Sequence, residues 1–426
     1  MTHRTVHEWG RVAVGDDGFT RSQADALLAA ARAHPFGGAD GTDILCDHHR
    51  HLRARQMVGV VAARGASLEI LPKVDPAAPD DDAATVRGRL MHMLNVALGL
   101  NISTGEVAAM AHRSESLLEL FITLFADRLL AEVRRGLPRQ YQRFDEDLRA
   151  LRGRLDPIRQ FTVHAVCPDR LACRFDALAV DTPLMQIMKA GVLFAARYAR
   201  SMATQRKLAE LRFLLDNVRT IRPETLPWKQ VRIDRTNQRW RSLLELARLL
   251  LGRRWQQTHA ASHEPEGTSL LFAMNDLFEA YVAAQLRRAL ADSGLDIVTQ
   301  GRLRYCLGPW REEHDTVGSS FATRPDIMVR SGDDVKIIID TKWKNLSKGV
   351  SQADVYQMMA YARLYRCPRL ILLYPAVPGA DRRELEIHGL SGGRERLEIA
   401  TLAVEEGDAE LREKLRVLTF PRARSN

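Results

Sequence analysis

The run VKIIIDTKWK, residues 335–344, decides how the last third of this chain reads. Val335, Ile337, Ile338 and Ile339 make a β-branched apolar stretch that only Lys336 interrupts, the composition of a central strand. Asp340 and Lys342 stand at its end two residues apart, so their side chains leave the same face. Upstream, Arg324-Pro325-Asp326 leads into a second short strand, Ile327-Met328-Val329, and thirteen residues separate Asp326 from Asp340. A hairpin turn at Ser331–Asp334 sets the two strands side by side, which brings two carboxylates to one ammonium at a sheet edge. Hard carboxylate oxygens in that arrangement suit Mg²⁺ or Mn²⁺, ions that keep several waters and can also hold a phosphate oxygen. Such a metal lowers the pKa of a bound water and neutralises charge on the phosphate; Lys342 would orient or deprotonate that water, or stabilise the phosphorane. The plain alternative is a surface hairpin with charged ends. A D-x-K triplet alone carries little; the upstream Pro-Asp and the two strand contexts give it weight.

Outward from this pair the pattern is that of a mixed α/β domain with a central sheet. Leu277, Phe278, Tyr281, Val282 and Leu286 define a leading helix, with Glu279 on the flank of its apolar stripe. Strands are predicted at 302–307, 327–330, 335–341, 370–374, 384–388 and 396–404. A helix over Gln352–Tyr365 carries Gln357 and Tyr361 one turn apart, with Val355, Met358, Met359 and Ala362 as its expected buried face. Glu279 could complete a metal site and Gln357 could touch its water or the DNA backbone; a solvated helix residue is the competing account of Glu279.

The rest of the chain completes an α+β multidomain prediction: a β-rich N-terminal domain at 1–80, a mainly helical middle domain with a small β insertion at 81–260, and the α/β domain at 261–426. Ser22 is read as capping a short helix that ends before Pro35 and Gly37-Gly38, and strands follow at 43–47, 57–63 and 67–74, the last two joined across Arg64-Gly65-Ala66. DPAAPDDDAA, residues 75–84, reads as a linker. Leu118, Phe121, Ile122, Phe125, Leu129 and Val133 form a helical stripe that stops at Gly136-Leu137-Pro138. Asp181-Thr182-Pro183 starts another helix, and Trp240 to Leu251 makes a third, closed by Gly252. Residues 161–166 and 171–175 are the β insertion.

Among 426 residues, the formal charge of +9 favours an anionic partner such as nucleic acid. No eighteen-residue apolar run appears, so no membrane span is predicted, and MTHRTVHEWG lacks an apolar signal core, which predicts a cytoplasmic chain. The five cysteines (Cys46, Cys167, Cys173, Cys306, Cys367) make no CxxC pair and are read as reduced thiols, mostly packed in cores. Cys46-Asp47-His48-His49-Arg50-His51 reads as a surface strand, whose alternating side chains would not converge on a metal without a turn, or as a contact surface for a partner. Asp80-Asp81-Asp82 reads as solvated linker, and Glu312-Glu313-His314-Asp315 as a loop. Arg134, Arg135, Arg139, Arg143, Arg253 and Arg254 either track phosphates or are solvated faces.

FEAYVA (278–283), RPDIMV (324–329), IIIDTKWK (337–344) and YQMMAYA (356–362) together resemble the nuclease domain of the McrC family, within the PD-(D/E)xK superfamily. LEILPKV (68–74) resembles that family's N-terminal signature, and LRGRLD (151–156) with FDALAVDTPLMQIMKA (175–190) its middle region. The resemblance implies a DNA endonuclease subunit that works with McrB, an AAA+ GTPase hexamer that reads modified cytosine in double-stranded DNA. It implies docking on that ring through the N-terminal part, stimulation of GTP hydrolysis, and a divalent metal at the cut. It also implies Asp326, Asp340 and Lys342 as the catalytic triad, with Glu279 and Gln357 as accessory positions. No GxxxxGK[ST] loop occurs, which fits a partner that supplies the nucleotide engine. The family often has asparagine where this chain has Gln186. Two other accounts stand beside this one: chiefly a regulatory adaptor that activates the ring's GTPase, or a free-standing repair nuclease.

Overall fold

The computed structural model describes residues 2–34, 43–63, 65–74, 82–111, 116–165, 169–251, 267–309, 318–346, 349–376, 385–391, 393–404 and 407–420. The helix stop at 35–38, Arg64, the linker up to Asp81, Cys167, Gly252 to Arg254 and the acidic run 312–315 lie outside the described residues. The architecture is mixed α+β in two compact units, one formed by residues 1–117 with 255–426 and the other by 118–254. These boundaries cut the chain differently from the composition shifts near 80 and 260.

In the first unit β1 (Thr2–His7), β2 (Arg11–Ala13), α1 (Arg21–Arg32), β3 (Leu45–Asp47), β4 (His51–Ala54), β5 (Met57–Ala63) and β6 (Ala66–Leu71) come first, then α2 (Ala83–Leu98) and α3 (Thr104–Ala111). Thr20, not Ser22, caps α1: its hydroxyl accepts from Gln23 N at 3.3 Å while the Gln23 side chain accepts from Thr20 N at 3.0 Å. A Thr with Gln three residues on satisfies two orphan helix-start donors at once, which Ser22 cannot do. Leu27, Leu28 and Ala31 of α1 pack on Val61 of β5 and on Leu68 and Ile70 of β6. On the other face of β6, between Leu68 and Ile70 in sequence, sits Glu69, with no solvent exposure. It accepts from Arg87 of α2 (Nη2 at 2.6 Å, Nε at 3.0 Å), from Thr5 Oγ1 at 3.0 Å and from Leu117 N at 3.2 Å.

The second unit holds α4 (Leu117–Arg135), β7 (Gln140–Leu148), β8 (Arg154–Leu155), α5 (Pro157–Thr162), β9 (Leu171–Ala179), α6 (Pro183–Tyr198), α7 (Met202–Leu214) and α8 (Arg241–Leu250). The β insertion exists, but Phe161 is not in it. The partners of β9 are β7 and β8, and residues 157–162 are helical because Asp156 caps them, accepting from Arg159 N at 3.2 Å, with Pro157 at the first helical position. Gln186 is buried and donates to Asp181 Oδ1 at 2.9 Å, so it ties α6 to its own start.

The first unit resumes with β10 (Gly267–Ala273), α9 (Met274–Ala289), β11 (Asp296–Thr299), β12 (Arg304–Leu307), β13 (Ser320–Thr323), β14 (Ile327–Ser331), β15 (Asp334–Thr341), α10 (Gln352–Tyr365), β16 (Arg369–Pro375), β17 (Glu386–Gly389), β18 (Arg396–Leu402) and α11 (Asp408–Thr419). β10 pairs antiparallel with β5 and completes a sheet of order β1-β6-β5-β10, which is why residues on both sides of the helical region form one unit. A second sheet has the order β11-β14-β15-β16-β18-β17, with β15, β16 and β18 parallel at its centre and antiparallel strands outside. Parallel neighbours need a crossover, and α10 supplies it between β15 and β16. The strand expected at 302–307 is β12, but it pairs only with β13 in a separate ribbon. The buried stripe of α10 is Asp354, Met358, Tyr361, Ala362 and Tyr365. Met359, expected inside, is 41% exposed, because the spacing 354, 358, 361, 365 puts the tyrosines rather than Met359 over Ile338, Leu370 and Leu372. Among the described residues no helix is long and apolar enough to cross a membrane.

Candidate active site

β14 and β15 run antiparallel with Ile327 opposite Ile339, so the next step of the register sets Asp326 beside Asp340. Asp326 Oδ2 accepts from Thr341 N at 2.8 Å and from Thr341 Oγ1 at 3.1 Å. Its backbone is clamped as well: Gln300 N donates to Asp326 O at 2.7 Å and Gly301 N to Pro325 O at 3.0 Å. Asp340 has no solvent exposure, and its carboxylate is met by the Lys342 ammonium. Lys342 Nζ lies 2.6 Å from Asp340 Oδ2 as an ion pair, and it donates to Gln357 Oε1 at 3.2 Å. A relay continues from there. Gln357 Nε2 donates to the Tyr361 hydroxyl at 2.8 Å, and that hydroxyl donates to Arg324 O at 2.8 Å. Lys342, α10 and the Arg324-Pro325-Asp326 segment are thereby locked together. The role of Tyr361 was not read from the sequence, although its one-turn spacing from Gln357 was the available signal.

The electrostatics follow from burial. Asp326 and Asp340 both have carboxyl pKa values raised by desolvation, Asp340 further by the charge of Asp326. Burial alone would lower Lys342, but Asp340, Asp326 and Asp354 outweigh it and hold the ammonium protonated. Glu279 is half-buried on α9, and desolvation, then Asp326, Asp276 and Asp340, push its carboxyl up to about 8. The five expected residues (Asp326, Asp340, Lys342, Gln357 and Glu279) thus share one neighbourhood. Among the described residues, however, no three His, Cys, Asp or Glu side chains converge as a ready cage for an ion. Mg²⁺ does not require one, since it is commonly held by one or two carboxylates plus waters and phosphate oxygens. A fully buried carboxylate whose charged form burial disfavours, beside a second carboxylate, is the donor set such an ion fits.

This clustering makes a stability prediction. A carboxyl that keeps its proton longer in the folded than in the unfolded chain stabilises at low pH, and that stability is lost as pH rises through the folded pKa. Without divalent metal, the Tm is expected to fall between about pH 5 and 8, by less in Glu279→Gln, and Mg²⁺ should raise it more at pH 8 than at pH 5. Thermal unfolding in EDTA and in Mg²⁺ measures this; an equal Mg²⁺ effect at both pH values would contradict it.

The Cys46–His51 segment is not one strand: β3 ends at Asp47 and β4 begins at His51, with a turn between that stacks His48 on His51 at 4.8 Å. Asp47 is committed to Arg21 and to His49 N, and its carboxyl is held down at about 2, chiefly by Arg21. Cys173 and Cys367 are buried, Cys46 is half-buried and Cys306 is exposed.

In the solved structures, the fold resembles a chain in the "half-complex from tetradecameric assembly of Thermococcus gammatolerans McrB AAA+ hexamers with bound McrC". That match has a TM-score of 0.70 and 23% identity and covers 98% of this chain and 100% of that one. A chain in the cryo-EM structure of the Thermococcus gammatolerans McrBC complex matches with a TM-score of 0.54 and 25% identity, over 68% of this chain and 89% of that one. No curated protein matches the sequence. The model of one family matches residues 52–375, a span that takes in β5, the helical unit and the strands carrying Asp326 and Asp340. This chain therefore belongs to the McrBC 5-methylcytosine restriction system component family.

Proposed function

We propose that the chain is a divalent-metal-dependent DNA endonuclease of the PD-(D/E)xK type, the McrC-like cleavage subunit of a restriction system directed at modified cytosine. One observation carries the reading: Asp340, fully buried at the end of a central strand, lies beside Asp326 and in ion contact with Lys342. Asp326 and Asp340 would hold Mg²⁺ or Mn²⁺, with Glu279 beside them. An ion bound there lowers the pKa of a water and offsets charge on the scissile phosphate. Lys342, kept protonated by its carboxylate neighbours, acts as a fixed positive charge for the phosphate oxygens rather than as a base. Gln357 and Tyr361 position that ammonium, and Thr341 fixes the Asp326 carboxylate. The purified chain, given an McrB-like partner, GTP and modified DNA, should cut with Mg²⁺ and stop with EDTA. Cutting that persists in EDTA would remove the proposal, and metal-dependent cutting by the chain alone would favour a free-standing nuclease.

The solved relatives bear on a second role. Those McrC chains are bound to McrB hexamers, and we assign this chain the same kind of partner and stimulation of its GTPase. The residues 1–80 were the expected docking part, yet the described residues before Tyr141 hold none of the exposed large apolar side chains. Seven of them fall within 140–179, Ile158 at 77% and Phe161 at 76% exposed on α5 among them. Exposed apolar clusters of this kind mark interaction surfaces. The double variant Ile158→Asp, Phe161→Asp should lose at least about tenfold in affinity for the ring, a loss of roughly 1.4 kcal/mol or more, and lose GTPase stimulation with it. Unchanged stimulation would move the docking role elsewhere. Truncation after Gly267 is a poor test, because it strips β10 from the N-terminal sheet.

A further inference from the structure

The ribbon of β12 and β13 is bonded to no other strand, and every residue of β12 is exposed. Two-stranded ribbons are marginal in water unless something else holds them. Here the root of the ribbon is held by α10. The buried Tyr365 sets its hydroxyl 2.5 Å from Arg302 O and 3.1 Å from Thr323 O, so one side chain ties both sides together. Arg304 donates to Leu364 O, and its guanidinium lies 4.9 Å from the centre of the Tyr365 ring. Away from that anchor Leu303, Tyr305, Leu307 and Phe321 are all exposed, Phe321 at 72%. Phe321 is also held at φ 57, a left-handed conformation that strains a bulky side chain. Burial within the chain offsets neither the strain nor the exposure of this ring.

The ribbon stands at a defined place. β11 and β14 are antiparallel with Thr299 opposite Ile327, so the chain leaves β11 at the end of the sheet where Asp326 precedes β14 and Asp340 nears the close of β15. Gln300 and Gly301 bond the backbone of Asp326 and Pro325 before β12 begins, and β13 runs directly into Arg324-Pro325-Asp326. DNA whose phosphate reaches Asp326 and Asp340 at this end of the sheet has the ribbon beside it. Arg302, Arg304 and Arg324 are exposed at its root. Among the described residues no carboxylate pairs with any of them: Arg304 meets a carbonyl, and Arg324 the amide oxygen of Gln300 at 3.5 Å. Guanidiniums left unneutralised suit backbone phosphates. A groove of duplex DNA admits a two-stranded ribbon, and phenylalanine is among the apolar side chains that press into base steps.

We propose that the β12–β13 ribbon lies in a groove of duplex DNA, with Arg302, Arg304 and Arg324 on backbone phosphates and Phe321 against the bases, and so positions the strand on the Asp326–Asp340 site. The placement beside a scissile phosphate rests on the nuclease reading. The DNA contact does not, and it is measured where nothing can be cut.

The full chain with p-benzoylphenylalanine in place of Phe321 is irradiated in EDTA with a labelled, unmodified duplex of mixed sequence, about three helical turns long. The label is expected to cross-link to the chain, with a yield that falls as salt rises. The same probe in place of Ile387, exposed on β17 at the far edge of the sheet, should give at least about tenfold less. Glycine adopts the left-handed conformation without strain, so Phe321→Gly should keep its Tm while losing about tenfold in duplex affinity by anisotropy. Cross-links from position 321 only to a second copy of the chain would make the ribbon a protein interface and overturn the proposal. So would no DNA cross-link at all, wild-type duplex affinity in Phe321→Gly, or a collapse of its Tm, which would make the ring structural. DNA cross-links in a chain that fails to cut when given its ring, GTP and Mg²⁺ would keep the ribbon inference and sink the nuclease reading instead.

Discussion

Asp340→Ala is expected to lower DNA cutting by about a thousandfold or more without weakening the fold. Losing a carboxylate that holds a catalytic metal removes several kcal/mol of transition-state stabilisation, and each 1.4 kcal/mol or so is a factor of ten. The same change takes out a buried carboxylate whose charged form desolvation and Asp326 disfavour more than Lys342 favours it, and the partly exposed Lys342 ammonium that it leaves can turn to water. In metal-free buffer the Tm should therefore stay level or rise. This pairing of lost activity with kept or gained stability distinguishes a functional carboxylate from a structural one. Binding of the ring and GTPase stimulation should be untouched. Cutting within about tenfold of the wild type would end the assignment of Asp340.

The second large effect is on stability. Glu69→Ala leaves Arg87 buried without its carboxylate and frees Leu117 N and Thr5 Oγ1, and uncompensated buried charges of this kind cost about 3–5 kcal/mol. Urea unfolding should show that loss. The double change Glu69→Leu, Arg87→Met should recover much of it, because a packed apolar pair removes the charge left behind. A loss under about 1 kcal/mol in Glu69→Ala would mean the pair is solvated and peripheral.

The strand that carries Asp340 was legible because its signals are local. An apolar β-branched run with Asp340 and Lys342 at a period of two needs no distant partner to be recognised, and β15 and α10 fall close to or on the predicted bounds. β10 was missed because its partner β5 lies far upstream and no local pattern encodes that pairing. Met359 was placed inside and Tyr361 left beside Gln357 because hydropathy ranks methionine above tyrosine. The fold buries the Tyr361 ring and uses its hydroxyl to hold Arg324 O. Phe161 was read by propensity as strand, while the Asp156-Pro157 start that overrides it lay just before.

The return of β10 to the edge of β5 bears on how the chain is made. About 200 residues lie between Ala63 and Gly267. A ribosome adding roughly 5–20 residues per second emits them in about 10–40 s. Through that interval Met57–Ala63 has emerged with one backbone ladder unfilled, an open template for any neighbouring nascent strand. Translation speed through the helical segment, rather than the six-stranded sheet itself, then sets how long each new molecule is exposed to mispairing.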